Sequence, residues 1–248
     1  MIVLLGMYDR PETAAANDRF WTAIRARLGY GPEALTRGCD FWEAWQSPDL
    51  LLAQTCGLPY RARLHDKVTL VATPDYGLPG CPPGHYNSVF VAHRDDAGAS
   101  LAELATGALA YNEPLSQSGW AAPEAHLTGL GLAPAALVQT GGHRASAEAV
   151  ANRTARFAAL DALTWELIRR YDAFAADLVE VTRTAPTPAL PFITASARDA
   201  KALAAALEGA IADLSDEDRA TLGLRGLCRL PAADYLAQPI PPAPVHRD

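Results

Sequence analysis

No apolar run in the chain approaches the about 20 consecutive residues that a membrane-spanning helix requires, so integral membrane insertion is excluded. Clusters of basic residues are missing as well. The 248 residues hold 21 Lys and Arg against 28 Asp and Glu, a net charge of −7 with a pI near 5.4, and the basic residues are scattered. Phosphate backbones are bound through clustered Lys and Arg, so no nucleic-acid partner is expected. The four cysteines, Cys39, Cys56, Cys81 and Cys228, have no CxxC spacing and no histidine pattern to complete a zinc site. Neither a metal nor a cofactor is expected. The first residues, MIVLLGMYDRPE, lack the basic start, the long apolar stretch and the small-residue cleavage site of a secretory signal. As written, the chain reads either as cytoplasmic or as already trimmed.

What remains is an ordinary globular mixture, 50% apolar and 20% charged, able to bury a substantial core. At this length two lobes are comfortable. Strand-length apolar runs alternate with helical patterns. Residues 2–5 lead into a helix opened by Pro11, whose fixed φ suits a first helical turn; Phe20, Trp21, Ile24 and Leu28 form its apolar stripe. Strands are expected over 50–54 and 67–73, with a short helical piece after Pro59. Residues 74–87 are dense in Pro and Gly and must be irregular. Further strands fall at 88–94, 108–111, 135–140, 157–160, 178–184 and 192–195, with helices near 99–106 and from about 118, 144 and 161. Parallel sheets with helical crossovers follow from such an order. An alanine-rich helix over 197–213 fits either lobe, Ser215 followed by three acids marks another helix start, and the tail PIPPAPVHRD is expected to fray.

The stretch YNEPLSQSGW, residues 111–120, places Ser116, Ser118 and Gly119 between an apolar run and a helical one. The serines either cap the helix or, with exposed amides and the positive end of the helix dipole, form an anion site. His143, after strand 135–140, is either a surface or capping histidine or a donor to an anion. Asp161, at the end of strand 157–160, either caps the next helix or faces a ligand, since open α/β sheets bind ligands at that edge. Tyr8 and Asp9 end the first strand, and Gln54, Thr55, Cys56, Gly57 and Tyr60 follow the second. Aromatics there suit the organic part of a ligand, and Tyr60 suits core packing equally. An enzyme is the rival class, because Ser118, His143 and Asp161 occur in the chain order of an α/β-hydrolase triad. Residues 116–120 read SQSGW, however, without the G-x-S-x-G elbow, and no partner that would activate Cys56 is visible.

Taken in order, MYDRPE, QTCGLPY, TPDYGLPGCPPGHYNS, YNEPLSQSGW and GGHRASAEAVANRTARFAALDALTW resemble the phosphate, phosphite and phosphonate substrate-binding proteins of ABC transporters. The resemblance runs from about residue 6 to 195. It implies an α/β fold of the type II periplasmic-binding-protein kind: two lobes, each a mostly parallel sheet flanked by helices, with the ligand held in the cleft between them. Lobe one would take residues 1–90 and 190–248, and lobe two 91–189. It also implies a non-enzymatic protein that binds a small phosphorus oxyanion or organophosphonate and passes it to an ABC permease; a cytoplasmic sensor of the same fold is the alternative. The oxyanion would sit on Ser116, Gln117, Ser118 and Gly119 with His143 donating to it, while Asp161 meets a cationic or protonated part of the ligand. Tyr8, Thr55, Cys56, Gly57 and Tyr60 would contribute from lobe one. The same fold brings the loops of Cys56 and Cys81 to one edge, and a disulfide between them is expected to be within reach.

Overall fold

The strand-length runs form β-strands in the computed structural model, which describes residues 1–245. In chain order these are β1 (Ile2–Leu4), β2 (Leu50–Gln54), β3 (Val68–Asp75), β4 (His85–Tyr86), β5 (Ser88–His93), β6 (Ala108–Tyr111), β7 (Ala136–Gln139), β8 (Phe157–Asp161), β9 (Leu178–Arg183), β10 (Thr187–Pro188), β11 (Phe192–Ala195) and β12 (Gly226–Cys228). The described residues divide into two units, Met1–His85 with Pro188–Gln238, and Tyr86–Thr187 with the segment from Pro239 onward. The short strands β4 and β10, which pair with each other, lie where the chain leaves the first unit and returns to it.

Unit 1 is built on the sheet order β1-β2-β11-β3-β12. Only β1 and β2 pair in parallel; β11 runs antiparallel to both β2 and β3, and β12 antiparallel to β3. The expectation of a mostly parallel sheet is therefore corrected to a mixed one. A strand re-entering from the other unit arrives at the opposite end of the sheet from β2 and β3, so it can join them only in the reverse sense. All of β2 is buried, as continuous LLLAQ predicts for a strand covered on both faces. One face carries Leu50, Tyr60, Leu64, Ile193, Trp45 and Tyr235 in a single cluster. The helices Ala14–Leu28 and Ala200–Ala212 pack against each other. Helix Ala14–Leu28 starts later than Pro11 suggests, because Thr13 folds residues 8–13 into a turn: its Oγ1 donates to the Tyr8 carbonyl at 2.7 Å and accepts from the Arg10 amide at 3.0 Å.

Unit 2 has the order β7-β6-β8-β5-β9. The three strands β7, β6 and β8 are parallel neighbours, while β5 is antiparallel to β8 and β9. Phe90, Leu104, Leu109, Leu127 and Phe157 centre its core. Because β6, β7 and β8 share one direction, the loops after Tyr111, Gln139 and Asp161 emerge at one edge of the sheet. Among the described residues no helix is long and apolar enough to cross a membrane, and no group of His, Cys, Asp and Glu could hold a metal ion.

The tail departs from the frayed end expected. Its described residues, 239–245, group with unit 2, and the carbonyl of Pro242 accepts a hydrogen bond from Trp120 Nε1 at 2.9 Å. The last three residues of that stretch, His246 to Asp248, lie outside the described part of the chain. No disulfide forms between Cys56 and Cys81. Cys56 is buried at the start of the helical piece Gly57–Pro59, whereas Cys81 is held in its own turn, its amide donating to the Leu78 carbonyl at 3.1 Å and its thiol to that of Pro79 at 3.8 Å.

Candidate functional site

The segment after β6 does not enter an α-helix directly. Residues Gln117–Ala121 form one π-helical turn and the α-helix Ala122–Gly129 continues from it. Single π turns inside helices are rare and recur at functional sites. Ser116 is the cap of this turn: its Oγ accepts from the Gly119 amide at 2.9 Å. Ser116 thus takes the capping role, while Ser118 Oγ is engaged differently. It lies 2.8 Å from His143 Nε2. Ser116, Gln117, Ser118 and Gly119 are all buried.

His143 is the first residue of the helix His143–Ala151. The loop before it is tied to the one after β6, since the amides of Thr140 and Gly141 donate to the carbonyls of Tyr111 and Asn112, both at 2.9 Å. Thr140 Oγ1 also meets Ser146 Oγ at 2.7 Å, which fixes the first helical turn. Although His143 as a residue is only half-buried, its Nδ1 is out of reach of water and makes no hydrogen bond of good geometry. Burial accordingly pushes its pKa down to about 4, opposed by the Ala159 backbone. The imidazole is neutral at pH 7.

Gly119 has an ordinary φ, so its need for glycine is one of room. A Cβ there would fall 1.9 Å from Asn112 Oδ1 and 3.2 Å from His143 Cε1. Asn112 is a residue the sequence reading missed. Its Oδ1 is buried and has no hydrogen-bond partner among the described residues, and nothing in a loop asparagine of one sequence signals that. Ser88 was missed for the same reason. It lies opposite Asp161 in the β5–β8 ladder, which sets the two side chains on one face of the sheet, and its buried Oγ likewise has no partner among the described residues.

Asp161 is 2% exposed and caps the helix Ala162–Tyr171, accepting from the Thr164 amide at 2.9 Å. The capping role is therefore present. The triad reading fails on geometry. Ser118 and His143 are within hydrogen-bond reach, but among the described residues no acid orients His143, whose other side faces the Ala159 backbone. A base with a pKa near 4 is also poorly matched to catalysis at neutral pH.

In unit 1 the ends of β1, β2 and β3 carry a second polar group of residues. Tyr8 meets Tyr76 edge to face, ring centroids 5.4 Å apart, and Gln54 Nε2 donates to Tyr76 Oη at 2.8 Å and to the Leu190 carbonyl at 3.1 Å. With Asn17, Phe20 and Phe192 they line a recess of about 30 Å³, room for about one water. Thr55 is fully buried; its amide donates to the Pro191 carbonyl at 3.1 Å, while Oγ1 has no partner among the described residues. Tyr60 turns the other way, into the core, where it packs edge to face on Tyr235 at 5.4 Å. Burial raises its pKa. Core packing is the role its ring shows.

This architecture, two units of mixed sheet flanked by helices, is that of the type II periplasmic-binding-protein-like fold. Among solved structures, PhnD1 from Prochlorococcus marinus (MIT 9301), in complex with methylphosphonate, superposes with a TM-score of 0.74 at 16% identity, covering 94% of this chain and 93% of its own. A binding protein component of an ABC phosphonate transporter (PA3383) from Pseudomonas aeruginosa gives 0.70 at 16% identity, with 95% and 82% covered. A histidine kinase sensor domain similar to periplasmic binding proteins gives 0.59 at 20%, with 91% and 97% covered. No curated protein matches in sequence. Residues 2–235 match the family described as ABC transporter, phosphonate, periplasmic substrate-binding protein, and the chain belongs to that family. The family is one of binding proteins, not of enzymes.

Proposed function

We propose that this chain binds a small phosphonate through the edge of unit 2, as the substrate-binding component of an ABC importer whose permease is its partner. The observation that carries the reading is the pairing of Ser118, on the π-helical turn, with a neutral His143 at the start of the neighbouring helix. Two helix starts side by side offer amides and positive dipole ends to an oxyanion, so an acidic protein needs no arginine cluster there. Hydrogen bonds to a charged group contribute about 1.5–3 kcal/mol each. Four such donors reach micromolar affinity, about −8 kcal/mol, once the cost of association is met. Ser116, Gln117 and Gly119 complete the oxyanion element, and Tyr8, Thr55, Cys56 and Gly57 of unit 1 are assigned to ligand contact as well.

Asp161 refines the ligand class. A carboxylate close to a bare phosphonate repels it, and more so as water is excluded, which favours a ligand that also carries an ammonium or a proton. Calorimetry with methylphosphonate, an aminoalkylphosphonate and inorganic phosphate is the test. Ser118→Ala is expected to weaken binding of all three at least tenfold with the fold intact. Asp161→Asn keeps an equally good cap and is expected to narrow the preference for the aminoalkylphosphonate over phosphate. Unchanged affinities in Ser118→Ala would remove the anion site, and an unchanged ranking in Asp161→Asn would leave Asp161 a cap alone.

A further inference from the structure

The π-helical turn has a second resident of consequence, Trp120. Its ring packs on Tyr111, centroids 5.5 Å apart, and its Nε1 donates to the Pro242 carbonyl at 2.9 Å. Pro242, Ala243 and Val245 form one wall of a cavity of about 210 Å³ whose other walls include Leu109, Leu127 and Leu137. Prolines at 239, 241, 242 and 244 fix φ along the segment and reduce the entropy lost when it docks. The hold is nonetheless light, because Ile240 and Val245 stay 59% and 72% exposed.

The turn this segment touches is weakly specified by its own backbone. Its first bonds run from the Trp120 and Ala121 amides to the same Ser116 carbonyl, at 3.3 and 3.0 Å, so α- and π-type registers compete for one acceptor. Relaxation to the α register would rotate Ser118 relative to His143.

We propose that the C-terminal segment is a brace for the anion turn and that Trp120 is the positioning residue through which it acts. The ligand part of this inference rests on the function proposed above; the conformational part does not. Two full-length variants test it: Trp120→Phe, which removes the donor, and Pro241→Gly with Pro244→Gly, which loosens the segment without touching the turn. Hydrogen exchange should show protection of the amides at positions 119–121 falling at least tenfold in both variants, with β6 and β8 unchanged. Methylphosphonate affinity should fall about fivefold, chiefly through faster dissociation. Unchanged protection in the proline variant overturns the brace, whatever Trp120→Phe does. If the wild type binds no methylphosphonate, the functional reading and the affinity arm fall together, and hydrogen exchange alone decides the brace.

Discussion

Gly119→Ala is the sharpest single perturbation of the site, because the structure gives its magnitude. The new methyl would stand 1.9 Å from Asn112 Oδ1 and 2.8 Å from Asn112 Cγ, where a carbon and an oxygen normally keep about 3.3 Å or more. Something must move by more than about 1 Å. If Asn112 rotates away, its buried oxygen must find another place in a packed loop; if the turn moves instead, Ser118 leaves its 2.8 Å contact with His143. Overpacking of this kind costs about 1–3 kcal/mol, and at this chain length each kcal/mol lowers the midpoint by about 2–4 °C. Differential scanning fluorimetry should therefore record a fall of about 2–12 °C. Calorimetry should record a loss of methylphosphonate affinity of tenfold or more, the equivalent of one misplaced donor at about 1.4 kcal/mol per tenfold. Adding Asn112→Ala to Gly119→Ala should recover most of the midpoint, since it removes the atoms in collision. A Gly119→Ala protein with its midpoint within about 1 °C of wild type, or a double variant with no recovery, would refute the argument from room.

Three further expectations follow from buried polar groups. His143 has a folded-state pKa of about 4 against about 6.5 unfolded, so below pH 6.5 the unfolded chain binds a proton that the native state refuses. Stability should then fall between pH 6.5 and 4 by about 3 kcal/mol, and His143→Gln should flatten that part of a urea-denaturation pH profile; an unchanged slope would show the imidazole to be solvated. Thr55→Val removes a buried hydroxyl that has no partner, so thermal stability should hold or rise while methylphosphonate affinity drops; a lower midpoint with unchanged affinity would make the hydroxyl structural. Tyr235 Oη donates to the Ala189 carbonyl at 2.8 Å and meets Thr73 Oγ1 at 2.7 Å, and Tyr235→Phe should cost about 1–3 kcal/mol in denaturant titrations, whereas a neutral effect would mean that Thr73 finds another partner.

Much of the fold was legible because apolar runs are a direct record of burial. Leu50–Gln54, Ala108–Tyr111 and Phe192–Ala195 coincide with the strands expected, and Ser215 caps the helix Asp216–Leu222 as its three following acids implied. Strand direction was not legible, since periodicity reports which face is buried and not which neighbour a strand meets; hence the antiparallel β11 and β5. β12 was missed because three half-buried residues beginning with glycine carry no pattern. At the site, residue types pointed to the turn, to His143 and to Asp161, and the family motifs ordered them. The different partners of Ser116 and Ser118 were not legible in the sequence, nor were Asn112 and Ser88, because an unpartnered buried atom leaves no trace in composition or spacing.

The insertion of β11 between β2 and β3 has a consequence for how the chain is made. The ribosome delivers residues 1–85 first, and they emerge without the strand that separates β2 from β3 in the finished sheet. Two edges with open hydrogen-bonding groups must wait for more than a hundred residues of synthesis. In that interval the contiguous stretch 86–187 has nearly all it needs to fold on its own, and N-terminal halves held open in this way are the ones that invite wrong strand partners. Nascent-chain experiments should find protease resistance appearing first in 86–187 and only later, once Ala195 has cleared the exit tunnel, in residues 1–85.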